Sequence, residues 1–124
     1  MKKAIATKNA PNAIGPYVQG VDAGSVVYTS GQLGLDPATG KLAEGIEGQA
    51  HQALKNLQAV LAEAGLSFAN VVKTTVFVQD LADFGTVNTI YGGYFTDGFP
   101  ARSCVQVAKL PMGGLVEIEC IAVR

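Results

Sequence analysis

The sequence predicts an α+β domain in two layers, with two helices on one face of a mixed six-stranded sheet. Two segments carry apolar residues at helical spacing, and six others are short, rich in β-branched residues and bounded by Gly, Pro, Asn or Asp. Two helices can cover only one face of such a sheet, so the second face is expected to be open. The 124 residues fit a single domain, residues 1–124.

The first part of the chain predicts three strands. Lys3–Ala6 is the first, and Val18–Val21 and Ser25–Ser30 form a hairpin around Asp22-Ala23-Gly24. The segment Asp36-Pro37-Ala38-Thr39-Gly40 predicts a turn, because Asp, Pro and Gly each favour turn conformations. An irregular stretch, residues 9–17, separates the first two strands.

The middle of the chain predicts a long helix followed by a strand. Apolar residues of Glu47–Ala64 recur at three- and four-residue steps, which places them on one stripe. Gly65 stands where a left-handed residue would end this helix. Val71–Val78 is rich in β-branched residues and predicts a strand.

The last part predicts a second helix and two strands. Asp83 is placed to cap a helix that runs to about Phe95, with Val87, Ile90, Tyr91 and Phe95 facing inward. Ala101–Ala108 and Val116–Val123 predict strands that a Pro/Gly-rich loop joins into a hairpin.

Composition and charge exclude several classes of function. Charged residues make up 15% of the chain, below the ~25% of ordinary soluble proteins, which predicts that another subunit covers part of the surface. The net charge is −1 and no basic run extends beyond Lys2-Lys3, which argues against nucleic acid as a partner. No segment has the ~20 apolar residues of a membrane span, and no apolar segment follows the N-terminal lysines, so a cytoplasmic protein is expected.

The two cysteines, Cys104 and Cys120, lack the number and spacing of a disulfide framework or a zinc site. We expect two reduced thiols and no metal site.

Side-chain alternation points to the last two strands as the candidate site. Arg102, Cys104 and Gln106 share one strand face, and Glu117 and Glu119 point away from the apolar positions of the last strand. We therefore predict that these five side chains share the open face, with Cys104 and Cys120 on opposite faces. An arginine beside a glutamate suits a small carboxylate ligand, because guanidinium binds carboxylates through two parallel hydrogen bonds. The alternative is an exposed cross-strand Arg–Glu pair contributing about 0–1 kcal/mol.

Motifs along nearly the whole chain resemble those of the RidA/YjgF family of reactive imine/enamine deaminases. They are Asn12-Ala13-Ile14-Gly15-Pro16-Tyr17, Tyr28-Thr29-Ser30-Gly31-Gln32, Val72–Val78, Val87–Tyr91, Pro100–Val105, Lys109-Leu110-Pro111 and Val116–Glu119. The resemblance implies the fold of the Bacillus-type chorismate mutase and a homotrimer with active sites in clefts between subunits. It also implies hydrolysis of 2-iminobutanoate and 2-iminopropanoate to 2-oxo acids and ammonia, without metal or organic cofactor.

The same resemblance implies roles for single residues. Arg102 would bind the substrate carboxylate, Glu117 would hold and help deprotonate the attacking water, and Tyr17 would close over the ligand. Ser30 and Gly31 would line the pocket. Backbone groups near Gly31 and Cys104 would polarise or orient the imine nitrogen and the carboxylate, and Asn88 would line or support the cleft.

Other interpretations of these residues stay open. Cys104 could be a nucleophile, Tyr17 a core tyrosine, Asn88 a merely exposed helix residue, and Gly31 a turn glycine that needs a positive φ. His51 is expected to be a solvated residue of the first helix.

One segment departs from the family pattern. The loop Met112-Gly113-Gly114 is more apolar and more flexible than the family leads us to expect, and it lies between the two strands of the candidate site. The departure affects the rim of the pocket and the substrate range, and it does not displace Arg102 or Glu117.

Three other functions compete with imine hydrolysis. A regulatory module could use the same anion cleft without turnover. A ribonuclease or translation inhibitor would need basic residues or a histidine near Arg102, and the sequence has neither there. Chorismate mutase rests on fold analogy alone, and fold does not fix function.

Overall fold

A computed structural model describes residues 1–124 as seven strands and two α-helices. The strands are β1 (Lys3–Ile5), β2 (Gly20–Asp22), β3 (Val26–Thr29), β4 (Gln32–Leu33), β5 (Val71–Val78), β6 (Ala101–Gln106) and β7 (Val116–Val123), and the helices are α1 (Gly45–Glu63) and α2 (Phe84–Gly92). Both helices pack on a mixed, mostly antiparallel sheet, which confirms the predicted α+β class.

The strands follow the order β1-β2-β3-β7-β5-β6, and β4 pairs with β7. Only β5 and β6 run parallel, because α2 carries the chain across the sheet between them. β7 returns antiparallel on the other side of β5. The predicted hairpin of the last two strands is therefore wrong, since β5 lies between them.

A bulge separates β3 from β4 and explains why the sheet has one more strand than predicted. Tyr28 is paired with Ile121 and Gln32 with Ile118. The chain therefore advances four residues from β3 to β4 while β7 advances three. The extra residue falls in the segment that contains Ser30 and Gly31. Bulges of this kind bend a strand and redirect its side chains.

The long helix α1 forms as its apolar spacing predicts. Its buried stripe includes Leu54, Leu57 and Leu61, each fully buried and each contributing roughly 1.5–3 kcal/mol of hydrophobic stabilisation. The helix ends at Glu63, and Gly65 adopts the predicted left-handed conformation with φ +76°. The buried Asn56 donates to the carbonyl oxygens of Leu33 and Leu35 at 3.0 and 2.8 Å, which fixes the chain just after the bulge.

The second helix is shorter than predicted, and its start differs. A 3-10 turn over Leu81–Asp83 precedes it, and Asp80 caps this turn by accepting from the amide of Ala82 at 2.9 Å. Asp83 forms no capping hydrogen bond, so its predicted role is wrong. The inward positions Val87, Tyr91 and Phe95 are buried as predicted, while Ile90 is only partly buried.

The helix-covered face of the sheet carries the core, and the other face stays open. On β7, Val116, Ile118, Cys120 and Ala122 are buried beneath the helices, whereas Glu117 and Glu119 point to the opposite side. The open face follows from having two helices on one side of the sheet. Neither α1 nor α2 has the length and the apolar run that a membrane-spanning helix needs.

Candidate functional site

A groove of about 760 Å³ lies along the open side of β4 and β7. It brings together three of the predicted site residues, Tyr17, Ser30 and Gly31, with Glu117. The other groups along it are Pro11, Asn12, Ile14, Gln32, Leu33, Leu35, Asp36, Pro37, Gly40, Pro111, Met112 and Glu119. Its three ionisable carboxylates, without any lysine or arginine, make this groove acidic.

Glu117 is held against the backbone of the bulge. A Cβ atom added to Gly31 would lie 2.8 Å from the carboxyl carbon of Glu117 and 3.0 Å from its Oε2. The φ of Gly31 is not positive, so the turn-glycine interpretation is wrong: the residue must be glycine because the carboxylate needs the space.

The electrostatic surroundings of Glu117 favour its protonated form. Partial burial raises the pKa of Glu117 above its ordinary value, and the neighbouring carboxylate of Glu119 raises it further. No cation forms an ion pair with either glutamate. A carboxylate with a raised pKa exchanges protons closer to neutral pH, as a general base requires.

Ser30 ties the bulge to the segment that carries Tyr17. Its hydroxyl donates to the carbonyl oxygen of Val18 at 2.6 Å, and its amide donates to the carbonyl oxygen of Gln19 at 2.9 Å. The buried Gln19 side chain in turn donates to the carbonyl oxygens of Thr7 and Pro11 at 3.0 and 2.7 Å. These bonds anchor both ends of the loop around Tyr17, whose side chain is 49% exposed. The core-tyrosine interpretation is therefore wrong.

Arg102 is fixed on the other side of the sheet, against α2. Its Nη1 donates to Oδ1 of Asn88 at 2.6 Å. Its guanidinium carbon lies 5.4 Å from the ring centre of Phe84 and 5.0 Å from that of Tyr91. Two aromatic rings and one neutral acceptor hold the side chain in place without neutralising its charge. Asn88 is thus a partner of Arg102 and not merely an exposed helix residue.

The cysteines are both free and lie on the helix-covered face. Val76 of β5 is paired with Cys104. Thr74, two residues earlier and on the same face of β5, is paired with Cys120, so both thiols face the same side. Their prediction on opposite faces is wrong, although they do not pair. Burial raises the pKa of the Cys104 thiol, despite the nearby charge of Arg102, and this argues against a reactive thiolate.

The prediction that Arg102 and Glu117 share one face is wrong within a single chain. Arg102 is level with the buried Thr74, on the helix side, whereas Glu117 is level with Phe77, on the open side. β6 and β7 are two strand spacings apart, and the β5 partners Thr74 and Phe77 are three residues apart. Together these offsets put the Cα atoms of Arg102 and Glu117 roughly 14 Å apart. The only ion pair in the chain joins Arg124 to Asp22, so the exposed Arg102–Glu117 pair is also wrong.

The surroundings of Arg102 on α2 were not predicted from the sequence. Phe84, Asn88 and Tyr91 follow one another at four- and three-residue steps, so helical spacing alone could have grouped them on one face of α2. The position of Glu119 in the same groove as Glu117 agrees with their predicted shared strand face. No group of three or more His, Cys, Asp or Glu side chains could hold a metal ion.

Comparisons with known proteins identify the family. A sequence model of the endoribonuclease L-PSP family matches residues 7–124. The chain is 59% identical to the 2-iminobutanoate/2-iminopropanoate deaminase of Salmonella typhimurium, over 100% of this chain and 99% of that protein.

Solved structures agree in fold. Escherichia coli TdcF with bound serine is 50% identical, with a TM-score of 0.96 over 98% of both chains. The YjgF gene product of E. coli is 54% identical, with a TM-score of 0.95 over 98% of both chains. The chain belongs to the endoribonuclease L-PSP family, which includes the RidA/YjgF proteins that its motifs resemble.

Proposed function

We propose that this protein is a hydrolytic deaminase that converts 2-imino acids, including 2-iminobutanoate and 2-iminopropanoate, into 2-oxo acids and ammonia. The full-length relative from S. typhimurium bears the name of this activity at 59% identity. The observation that carries the proposal is the immobilised, unneutralised guanidinium of Arg102. It has donors left over for the carboxylate that every 2-imino acid carries.

Arg102 acts as the carboxylate anchor. A guanidinium has five N–H donors, and Asn88 accepts from Nη1 alone. The remaining donors can bind a carboxylate through two parallel hydrogen bonds. Because Asn88, Phe84 and Tyr91 already fix the side chain, little conformational entropy is lost when the substrate binds.

Glu117 acts as the base for water. The imine carbon C2 is electrophilic when its nitrogen is protonated, and the water oxygen forms a bond to it while Glu117 accepts a water proton. Glu117 returns that proton to the nitrogen of the resulting carbinolamine, and the C–N bond breaks with its electron pair on the departing ammonia. The C2=O bond forms as the hydroxyl gives its proton to Glu117. The net reaction consumes one water for each ammonia released. Correct placement of the carboxylate and water supplies most of the rate enhancement.

The two halves of this site meet between copies of the chain. Arg102 and Glu117 lie on opposite faces of one sheet, so a substrate cannot contact both within one chain. Contact between the Arg102 surface of one copy and the groove of the next would be a head-to-tail interface, which forms a closed ring when the rotation from copy to copy is a full turn divided by the number of copies. We propose a homotrimer with one cleft at each interface. The exposed open-face side chains Tyr28 and Val105 would then be covered.

Tyr17, Ser30, Gly31, Asn88 and Cys104 complete the proposed cleft. Tyr17 covers the ligand, Ser30 holds the Tyr17 loop, and Gly31 leaves room for Glu117. Asn88 positions Arg102, and Cys104 lies beside it on the same strand face. The chemistry requires no cofactor or metal, and we expect it to serve cytoplasmic metabolism.

A ribonuclease remains the second candidate because of the family's name. Little else favours it: the groove is acidic, and the only histidine, His51, bonds to the Tyr94 hydroxyl through Nδ1 at 2.8 Å on α1. An acidic groove repels a polyanion. RNA cleavage that survives Arg102→Ala in clean protein would support this candidate instead.

The test uses imine made in situ by a pyridoxal-phosphate threonine dehydratase, with release of 2-oxobutanoate and ammonia measured over the buffer rate. Arg102→Ala should lose about 3 kcal/mol or more of transition-state binding, roughly 150-fold in rate. Arg102→Lys should also be poor, because the planar fork is lost. The matched control is Arg124→Ala, since Arg124 is exposed and pairs with Asp22 away from the groove.

The outcomes separate the candidates. Wild-type protein that gives no acceleration over buffer would refute the deaminase proposal and favour a non-catalytic carboxylate-binding module. Arg102→Ala with wild-type kinetics would refute the anchor role. Near-normal turnover by Arg102→Lys would show that charge alone matters.

A further inference from the structure

The turn between β6 and β7 holds a residue in an unfavourable conformation. Met112 has a φ of +59°, and it is the only non-glycine residue of the chain with a positive φ. Side chains of L-residues are disfavoured there, because Cβ approaches the following carbonyl oxygen. Strain of this kind persists only where the surroundings enforce it, and it is common at ligand sites.

Contacts on its C-terminal side hold the turn. The Leu115 amide donates to Oε1 of the buried Gln49 at 2.8 Å, and its carbonyl oxygen accepts from Gln79 at 3.0 Å. A Cβ atom on Gly114 would lie 2.8 Å from a methyl carbon of Leu33, so the turn is pressed against β4. The backbone at Met112 is thereby fixed, and only its side chain is free to adapt.

Met112 is not part of the hydrophobic core. Its side chain is 56% exposed and borders the groove that contains Glu117. Apolar groups continue this part of the lining: Leu33, Leu35, Pro37 and Pro111. An exposed methionine in a strained backbone position has no stabilising role in the monomer, whereas a flexible thioether suits apolar ligands of varied shape.

The groove is larger than the smallest imino acids require. Its volume of about 760 Å³ falls in the range typical of sites for drug-sized ligands. In the proposed oligomer the Arg102 surface of another copy takes up part of this volume. With the carboxylate at that arginine and C2 near Glu117, the apolar part of the groove that Met112 lines is left for the substrate's side chain.

We propose that Met112 is a specificity-determining residue that receives the aliphatic side chain of 2-imino acids larger than 2-iminobutanoate. The inference rests on the proposed function, because that function places the carboxylate and C2. Met112 itself takes no part in the chemistry. It favours substrates with longer aliphatic chains over those with a methyl or ethyl group.

Two variants separate apolar contact from backbone strain. Met112→Asn removes the apolar side chain, and asparagine tolerates the left-handed conformation better than methionine does. Met112→Leu keeps an apolar side chain of similar size in the same conformation. Both variants should fold, and Met112→Asn should melt at or above the wild-type temperature, so a weaker affinity would not reflect unfolding.

The decisive measurement is the binding of two products to the purified oligomer by calorimetry. The probes are 4-methyl-2-oxopentanoate and 2-oxobutanoate. In Met112→Asn the affinity ratio of the larger to the smaller acid should fall about tenfold, and in Met112→Leu it should stay within about twofold of wild type. An unchanged ratio in Met112→Asn would overturn the role of Met112.

Turnover of the corresponding imines tests the proposed function separately. The larger imine is supplied from leucine by a flavin amino-acid oxidase with catalase present. Wild-type protein that binds both acids but accelerates neither hydrolysis would refute the deaminase proposal. The calorimetric ratio would still decide whether Met112 selects apolar side chains.

Discussion

A site shared between subunits can be tested by mixing two inactive variants. Arg102→Ala removes the carboxylate anchor and Glu117→Ala removes the base, so each variant alone should be inactive. If Arg102 of one copy works with Glu117 of the next, a mixed oligomer contains an interface at which both residues are intact. If one chain supplied both residues, no mixed oligomer would contain an intact site.

The size of the rescue follows from the arrangement of subunits. In a head-to-tail ring of three, every mixed trimer has about one intact interface in three, whichever variant is in excess. A two-fold dimer would have about one intact site in two. Since Arg102→Ala alone should fall roughly 150-fold, restoration to about a third of wild type stands about fiftyfold above that background. The restored fraction thus reports both the sharing of the site and the number of subunits.

The assay needs oligomers that contain both variants. Differently tagged chains are co-expressed, and two successive affinity steps retain only mixed assemblies, whose 2-oxobutanoate release is measured with imine made in situ. The matched control pairs Arg102→Ala with the double variant Arg102→Ala/Glu117→Ala, which offers no intact interface. Mixed assemblies that stay as inactive as the single variants, while doubly tagged wild-type protein keeps its activity, would refute the shared site.

The bulge and the carboxylate make two further predictions. Gly31→Ala should lower activity at least about tenfold, because the new Cβ would lie 2.8 Å from the carboxyl carbon of Glu117. The control is Gly85→Ala, whose Cβ meets no atom within 4 Å and which should stabilise α2 by about 0.5–1 kcal/mol. Equal activity of the two variants would contradict the close approach of Gly31 to Glu117. Glu117→Gln should abolish turnover yet raise the melting temperature at about pH 7.5, because the raised pKa of Glu117 means that the fold disfavours its charge. This gain should shrink as the pH falls through the raised pKa of the folded state, and it should vanish by about pH 3, below the ordinary glutamate pKa of ~4.3, where the carboxyl is protonated in both states. An equal melting-temperature change at both pH values would show that burial of the charge is not the cause.

Local sequence patterns predict the individual elements well. β5 and β7 have their predicted limits, because runs of β-branched residues favour strands, and α1 lies within two residues of its predicted ends. The short β4 has no periodic signal of its own. It forms because the chain continues beside β7 after the bulge at Ser30-Gly31. This pairing joins residues far apart in sequence, so a two-residue segment cannot predict it.

Local sequence patterns predict the pairing of strands less well. β6 and β7 are consecutive in sequence and joined by a Pro/Gly-rich loop, which favours a hairpin, yet the crossover through α2 inserts β5 between them. The apolar residues of β6 also predict the wrong face for the core. Val105 is 43% exposed on the open face, while Arg102 faces the helices, so apolar character does not mark the core when a second surface is available for burial.

The separation of Arg102 and Glu117 has an electrostatic consequence for the proposed site between copies of the chain. Had the two side chains been neighbours, they would have paired, and a substrate carboxylate would have had to compete with Glu117 for the guanidinium. Instead Arg102 bonds to the neutral Asn88 and keeps its full charge, while Glu117 faces only the like charge of Glu119. Each half is thus left without its opposite charge in the isolated chain. A 2-imino acid has a carboxylate and, on the adjacent carbon C2, a protonatable nitrogen, so it would supply both missing partners in the proposed cleft between two copies.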